Sequence, residues 1–299
     1  MMICDAHSDA LLKRAAEPDT PPDITLERLL KNGVSLQTLA LFCGREPSVQ
    51  AATTLTKRML QVFRRLKRED GWQQLTDPAE ARAGDVQFLL SLEGAEVLTP
   101  GLHMADEYHA LGVRMASLTW NHENAFASPN GAADGLKPFG LKMVRRMQAL
   151  HIAIDISHLN DAGVDDILQQ TDVPPLASHS ACRALTPHTR NLHDGHLKAL
   201  FAAGGFVGVV FCPAFLGEGE VTIDRVIDHI DHMMAEGGEG KVGFGSDFDG
   251  IRKKVRGLES PAGYPALLAR LAERGYRPDQ IESLAGRAFI DYFARIARF

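Results

Sequence analysis

Eight short apolar runs, each long enough for a strand and too short for a helix, constrain this chain more than any other feature. They are "MMIC", "VSLQTLALF", "VQFLLSLEG", "VRMASLTW", "HIAIDISH", "PPLASHS", "GGFVGVVF" and "KVGFGSDFDG". Amphipathic stretches separate them. Residues 48–68 carry apolar Leu55, Met59, Leu60, Val62 and Phe63, and residues 224–236 carry Val226, Ile227, Ile230, Met233 and Met234, both at helical spacing. Gly-Gly pairs at 204–205 and 237–238 fit helix ends that precede a strand. Two further helices are expected around 264–274 and 278–298, and residues 15–23 read as a loop. Eight strand–helix alternations predict an α/β fold, a single (β/α)₈ TIM barrel occupying residues 1–299 as one domain. A doubly wound open sheet is the alternative, weakened because no G-x-G-x-x-G follows the first strand.

Composition narrows the function. Of 299 residues, 45% are hydrophobic, enough for a full core, and the net charge of −6 comes without a basic run. Nucleic acid and an anionic membrane surface are therefore poor partners, and a small molecule is a better one. No apolar stretch approaches the ~20 residues that cross a bilayer. Cys4, Cys43, Cys182 and Cys212 form no C-x-x-C pair, and no charged-then-apolar leader precedes "MMICDAH". The expected location is the cytoplasm.

In a TIM barrel the chemistry sits where strands end, and the ionisable residues fall there. His7 and Asp9 follow the first run, where i and i+2 project to one side. Glu93 ends "FLLSLE", His158 ends "IAIDISH", His179 lies in "ASHS", and Asp247 and Asp249 end the last run. Singly, each has an ordinary explanation as a loop carboxylate, a backbone-capping imidazole or a hydrogen-bonded bystander. Together they form an N/O ligand set suited to zinc and similar divalent metals. Five ligands are too many for one open catalytic zinc and right for two metals bridged by a carboxylate. His229 and His232 on the 224–236 helix, and His193 and His196 in "NLHDGH", read as solvated. There is no G-x-S-x-G elbow and no recognisable cysteine-nucleophile signature.

These residues resemble the membrane (renal) dipeptidase family of binuclear zinc peptidases among the amidohydrolase-like barrels. The resemblance spans the chain from "DAHSD" to "GYRPDQIESLAGRAF", anchored by "DAHSD", "SLEGAE", "DISH", "ASHSACR", "RN" at 190–191 and "GSDFDG" in the family's order. It implies that His7 and Asp9 bind one metal, that His158 and His179 bind a second, and that Glu93 bridges them. It implies further that Arg190 holds the substrate's terminal carboxylate, that Asp247 handles protons, and that the chain forms a homodimer. The His-x-Asp spelling separates it from the His-x-His amidohydrolases with a carbamylated lysine. One departure concerns "LTWNH": Trp120 stands where the animal enzymes resemble "LTH", and His122 is the candidate to replace that oxyanion-contacting histidine. "AGRAF" also lacks an asparagine common in the family's final helix.

The resulting expectation is a metal-dependent dipeptidase with two divalent ions, zinc first among them, acting on dipeptides through a bridging hydroxide. Another amidohydrolase, acting on an N-acyl amino acid, amide or lactone, and a barrel that binds metal or ligand without turnover are the alternatives.

Overall fold

The computed structural model describes residues 1–44 and 48–299. All eight apolar runs become parallel strands of one closed barrel: β1 (Ile3–Asp5), β2 (Val34–Phe42), β4 (Gln87–Glu93), β5 (Val113–Ser117), β6 (Ala153–Asp155), β7 (Leu176–Ser180), β8 (Phe206–Val209) and β9 (Val242–Phe244). Closure comes from β1 pairing with both β2 and β9, and from β2 pairing with β4 over seven registered positions, Leu36 opposite Gln87 through Phe42 opposite Glu93. The two-residue β3 (Gln73–Gln74), not foreseen, adds to β4 ahead of β5 on the same edge. With helices covering the outside, the strands are buried on both faces. That is why they read as continuous apolar runs rather than alternating ones.

The helices are α1 (Ala10–Ala16), α2 (Leu26–Lys31), α3 (Val49–Glu69), α4 (His103–Ala110), α5 (Pro138–Ala149), α6 (Asp161–Gln170), α7 (Asp194–Ala202), α8 (Pro213–Leu216), α9 (Ile223–Met233), α10 (Tyr264–Glu273), α11 (Pro278–Glu282) and α12 (Ala288–Ile296). Ser48, the first residue of the helix predicted there, is instead the cap of α3, accepting from the Ala51 N–H, and the helix begins one residue later. The helix α9 gives way to a wide turn at Met234, which ends at Gly237 in the left-handed region (φ 97°). The expected 278–298 helix is broken by a similar wide turn at Ser283–Arg287. Part of the expected 15–23 loop belongs to α1, whose first turn starts directly after Asp9.

The barrel's two ends differ in chemistry. Leu36, Leu89, Met115, Ala153, Leu176 and Phe206, near the strand starts, pack with Phe289, Tyr292 and Phe293 of α12, and the Tyr292 hydroxyl donates to Pro174 O at 2.9 Å. The C-terminal helix thus plugs that end with apolar surface, each buried large side chain contributing about 1.5–3 kcal/mol. The strand-end side is left for polar groups.

Four helix-side histidines depart from expectation. His229 is fully buried: its Nδ1 accepts from the Cys182 N–H and its Nε2 donates to Leu216 O, both at 3.0 Å. It lies in the 226–230–233 apolar stripe of α9, so the helix faces it inward. His196 is buried against Asp165 at 3.0 Å, His193 caps α7, and His232 meets Asp194 at 2.8 Å. The expectation failed because neighbouring segments supply partners that the local pattern does not show: backbone groups for His229, and carboxylates for His196 and His232.

Candidate active site

The strand-end rim brings six of the sequence-selected residues into one cluster. His7, Asp9, Glu93, His158 and His179 are between 1% and 6% exposed, and Asp247 lies beside them. Glu93 is at the centre, and its two oxygens face different groups. Oε1 is 3.0 Å from His158 Nε2 and 3.8 Å from His179 Nε2. Oε2 is 3.4 Å from His7 Nε2, which is in turn 3.9 Å from Asp9 Oδ2 and 3.9 Å from Asp247 Oδ1.

Local backbone explains how each side chain arrives there. The strand β1 stops at Asp5, but Ser8 makes an isolated bridge to Phe248 and turns its hydroxyl to Thr38 O, so His7 and Asp9 still share the opposite side. Glu93 is set by its register against Phe42. The chain then turns at Gly94, whose φ of 80° and 2.6 Å approach of a would-be Cβ to Gly44 Cα admit no side chain. His158 and Asp247 lie past their strands in the left-handed region (φ 70° and 63°), a costly conformation for a non-glycine residue that clusters at functional sites. A Cβ on Gly250 would fall 2.2 Å from Asp9 Oδ2 and 2.5 Å from Asp247 Oδ1, so this glycine leaves room for two carboxylates.

The electrostatics of the cluster favour a cation. Burial opposes a charge on His7, yet Glu93, Asp9 and Asp247 push its pKa up to about 10. Burial and the nearby Arg190 push His158 down to about 4, keeping it neutral, and His179 is lowered too. Burial, reinforced by Glu93 against the pull of His7, raises Asp247 to about 6. Among the described residues, His7 Nε2, Asp9 Oδ1 and Glu93 Oε2 are buried with no hydrogen-bond partner. Unpartnered polar atoms on three converging residues, in a field of carboxylates, fit a divalent metal.

Two expected residues differ from the rest. Arg190 is buried, donates from Nη1 to Ser180 Oγ (3.2 Å) and from Nη2 to His179 O (3.0 Å), and has a buried Nε–H without a partner among the described residues. His122 is not brought into the cluster: it is exposed, while Trp120 and Asn121 line the cavity instead. Beyond β5 the chain is tied by Asn124, which donates to Leu118 O and Glu96 and accepts from Phe126 N, so strand alternation does not extend to position 122. Asp249 serves the backbone, accepting from the N–H groups of Asp23 (2.6 Å) and Ile24 (3.1 Å).

Other polar partners went unnoticed in the sequence. Asn121 Oδ1 is 3.0 Å from His158 Nδ1, and Ser178 Oγ is 2.7 Å from His179 Nδ1. Asp5 accepts from His7 N, Ser246 N, Ser246 Oγ and Tyr264 OH. Serine next to histidine in "ASHS" was the available signal for Ser178. For Asn121 the signal was its place just past the end of the "MASLTW" run.

The cluster floors a cavity of about 1030 Å³, with Phe42, Leu55, Trp120 and Phe215 among its apolar walls and Lys13, Arg58, Arg252 and Lys254 among its polar ones. That is ample for a small organic substrate.

Comparison with known proteins decides the family. The model for membrane dipeptidases (peptidase family M19) matches residues 1–297. The chain belongs to this family. An uncharacterized dipeptidase of Schizosaccharomyces pombe is 37% identical over 68% of this chain and 51% of its own length, and dipeptidase tcpJ of Claviceps purpurea is 32% identical over 69% and 50%. The chain thus spans about half the length of the curated relatives it matches. Among solved structures, a metallopeptidase of Rhodobacter sphaeroides, determined with a phosphinate mimic of the dipeptide L-Ala-D-Ala, superposes with a TM-score of 0.91 at 26% identity, covering 99% of each chain. The family M19 metallopeptidase dipeptidase AC gives 0.91 at 27% identity, over 99% of this chain and 98% of its own. Membership, with these superpositions, makes the (β/α)₈ barrel the fold of a metallopeptidase family. Among the described residues, no helix is long and apolar enough to cross a membrane.

Proposed function

We propose that residues 1–299 act as one catalytic barrel that hydrolyses dipeptides with two divalent metals. His7, Asp9 and Glu93 would hold the first, and Glu93, His158 and His179 would hold the second. The observation that carries this reading is that the two oxygens of Glu93 face different histidines, Oε2 toward His7 and Oε1 toward His158 and His179. When bound, the metals supply Lewis acidity and hydroxide at neutral pH. Support for the dipeptide comes from family membership, from the dipeptidase relatives and from the dipeptide mimic bound to the Rhodobacter sphaeroides protein.

The protein groups divide the remaining work. Asp247, raised to about 6, is matched to take a proton from water at neutral pH and return it to the leaving amine. Arg190 has donors left at Nε and on each Nη for the substrate carboxylate. Trp120, on the cavity wall beside Phe42 (ring centroids 5.1 Å apart), presents an apolar surface where His122 was expected to act. Zinc as the metal, a cytoplasmic setting and a homodimer complete the proposal. The free state of all four cysteines supports the second of these.

The test is a panel of L,L- and L,D-dipeptides, C-terminally amidated dipeptides and N-acyl amino acids, run on metal-loaded protein alongside elemental analysis. Free dipeptides are expected to be cleaved at about two metals per chain. Turnover of N-acyl amino acids with dipeptides untouched would overturn the substrate, and full activity at one metal would overturn the bridge.

Arg190→Lys keeps the charge but loses the planar fork. It is expected to lower kcat/KM for free dipeptides about 10–100-fold, the worth of one charged hydrogen bond of ~1.5–3 kcal/mol, with metal content unchanged. Equal cleavage of amidated and free dipeptides by the parent protein would remove Arg190 from carboxylate binding.

A further inference from the structure

A buried serine sits between a carboxylate and one imidazole of the cluster. Ser178 Oγ is 2.5 Å from Asp155 Oδ2 and 2.7 Å from His179 Nδ1, and all three residues are at most 5% exposed. Counting hydrogens fixes their direction. A serine hydroxyl has one proton, and a carboxylate only accepts. Asp155 already receives the N–H groups of Ser157 and Ser178 at its other oxygen, both at 2.9 Å, which orients it as an acceptor toward the hydroxyl. With its proton directed to Asp155, Ser178 can only accept from His179. The proton of that ring must then lie on Nδ1, and Nε2 carries a lone pair. That Nε2 points at His158 Nε2, 3.0 Å away, and at Glu93 Oε1, 3.8 Å away.

We propose that Ser178, oriented by Asp155, is a positioning residue that locks His179 into the tautomer with a bare Nε2, so that this half of the cluster is prepared for a divalent cation. The inference rests on the metal reading given under Proposed function. Its effect is to remove the competing neutral form, in which Nε2–H would sit where the cation belongs.

The molecule contains its own comparison. Ser246 makes the same strand-end clamp on Asp5, with its Oγ 2.6 Å from Oδ2 and its N 2.9 Å from Oδ1. It has no imidazole on its hydroxyl, where Tyr264 joins the carboxylate instead. Clamping neighbouring strands therefore explains the Asp–Ser pairs, but not the ring placed on Ser178.

Two measurements on residues 1–299 test this. In nitrogen-15 spectra of the chelator-treated parent, His179 should show the Nδ1–H tautomer. In Asp155→Asn the side-chain amide donates to Ser178, which reverses the hydroxyl and should move the His179 proton to Nε2 although the serine is untouched. Zinc or cobalt alone, titrated against a competing chelator, should bind one of its two sites about 10–100-fold more weakly in Ser178→Ala and in Asp155→Asn, with the variants' folding checked by Tm. A purely structural clamp predicts lower Tm with unchanged tautomer and affinity. Nε2–H in the parent, or unaltered affinity in a folded variant, overturns the proposal. Should Ser178→Ala fail to fold, the parent spectrum decides alone. A parent that shows Nδ1–H but binds no divalent cation would overturn the metal reading, and with it the purpose assigned to the lock.

Discussion

Asp247→Asn is expected to keep its metals and lose about 10²–10⁴-fold in kcat, the usual cost of removing a general acid–base group. The substitution preserves shape but leaves an amide that neither takes nor returns a proton. Asp249→Asn, two residues on, should behave differently. Its carboxylate accepts from two backbone N–H groups, those of Asp23 and Ile24, and Asp23 in turn accepts from Asp249 N and pairs with Lys254. An asparagine retains one acceptor and offers an amide N–H to the other donor, an arrangement costing about 1–3 kcal/mol in stability. The rate per folded, metal-loaded molecule should change little. Both aspartates have positive φ, 63° and 67°, which asparagine tolerates, so backbone strain does not confuse the comparison. Metal content, Tm and kcat measured on both variants separate the roles. Near-normal kcat with full metal in Asp247→Asn would take Asp247 out of the mechanism.

Much of this site was legible because a barrel converts order along the chain into position on a rim. Each candidate was read only as ending an apolar run, and closure of eight parallel strands carried His7, Glu93, His158, His179 and Asp247 together. Between the two aspartates, the resemblance pointed to Asp247, which lies beside the cluster while Asp249 accepts from backbone N–H groups. His122 failed for a specific reason. It was expected to stand in from two residues after Trp120, whereas Asn124 gathers the chain into a loop that leaves His122 exposed, with Trp120 and Asn121 on the cavity wall. Ser178 was visible as a neighbour of His179 but not as its partner, because that role depends on Asp155 reaching across from the adjacent strand. His229 shows the converse limit. A polar residue in an apolar helix stripe read as solvated, and only the packed loop reveals that Cys182 N and Leu216 O need it.

Glu93→Gln addresses the centre of the cluster and should have the broadest effect. The parent carboxylate presents acceptors in both directions, Oε1 toward His158 and His179 and Oε2 toward His7. Glutamine is nearly isosteric, yet it removes a negative charge shared by both halves and turns one oxygen into an N–H donor. Whichever way the amide points, that donor meets a histidine Nε2 and fills a position a cation would take. Metal affinity should therefore fall by more than the about 10–100-fold typical of losing an outer hydrogen-bond partner, with at least one ion absent after purification and dipeptide turnover lost with it. Stability need not fall in parallel, because a hydrogen-bonded neutral amide is a cheaper buried group than a carboxylate deprived of its cations. The signature is thus a folded protein, shown by its Tm, with depleted metal. Two tightly held ions and parental kcat in Glu93→Gln would mean that the two halves of the site bind independently, and that the central position of Glu93 serves the barrel rather than the chemistry.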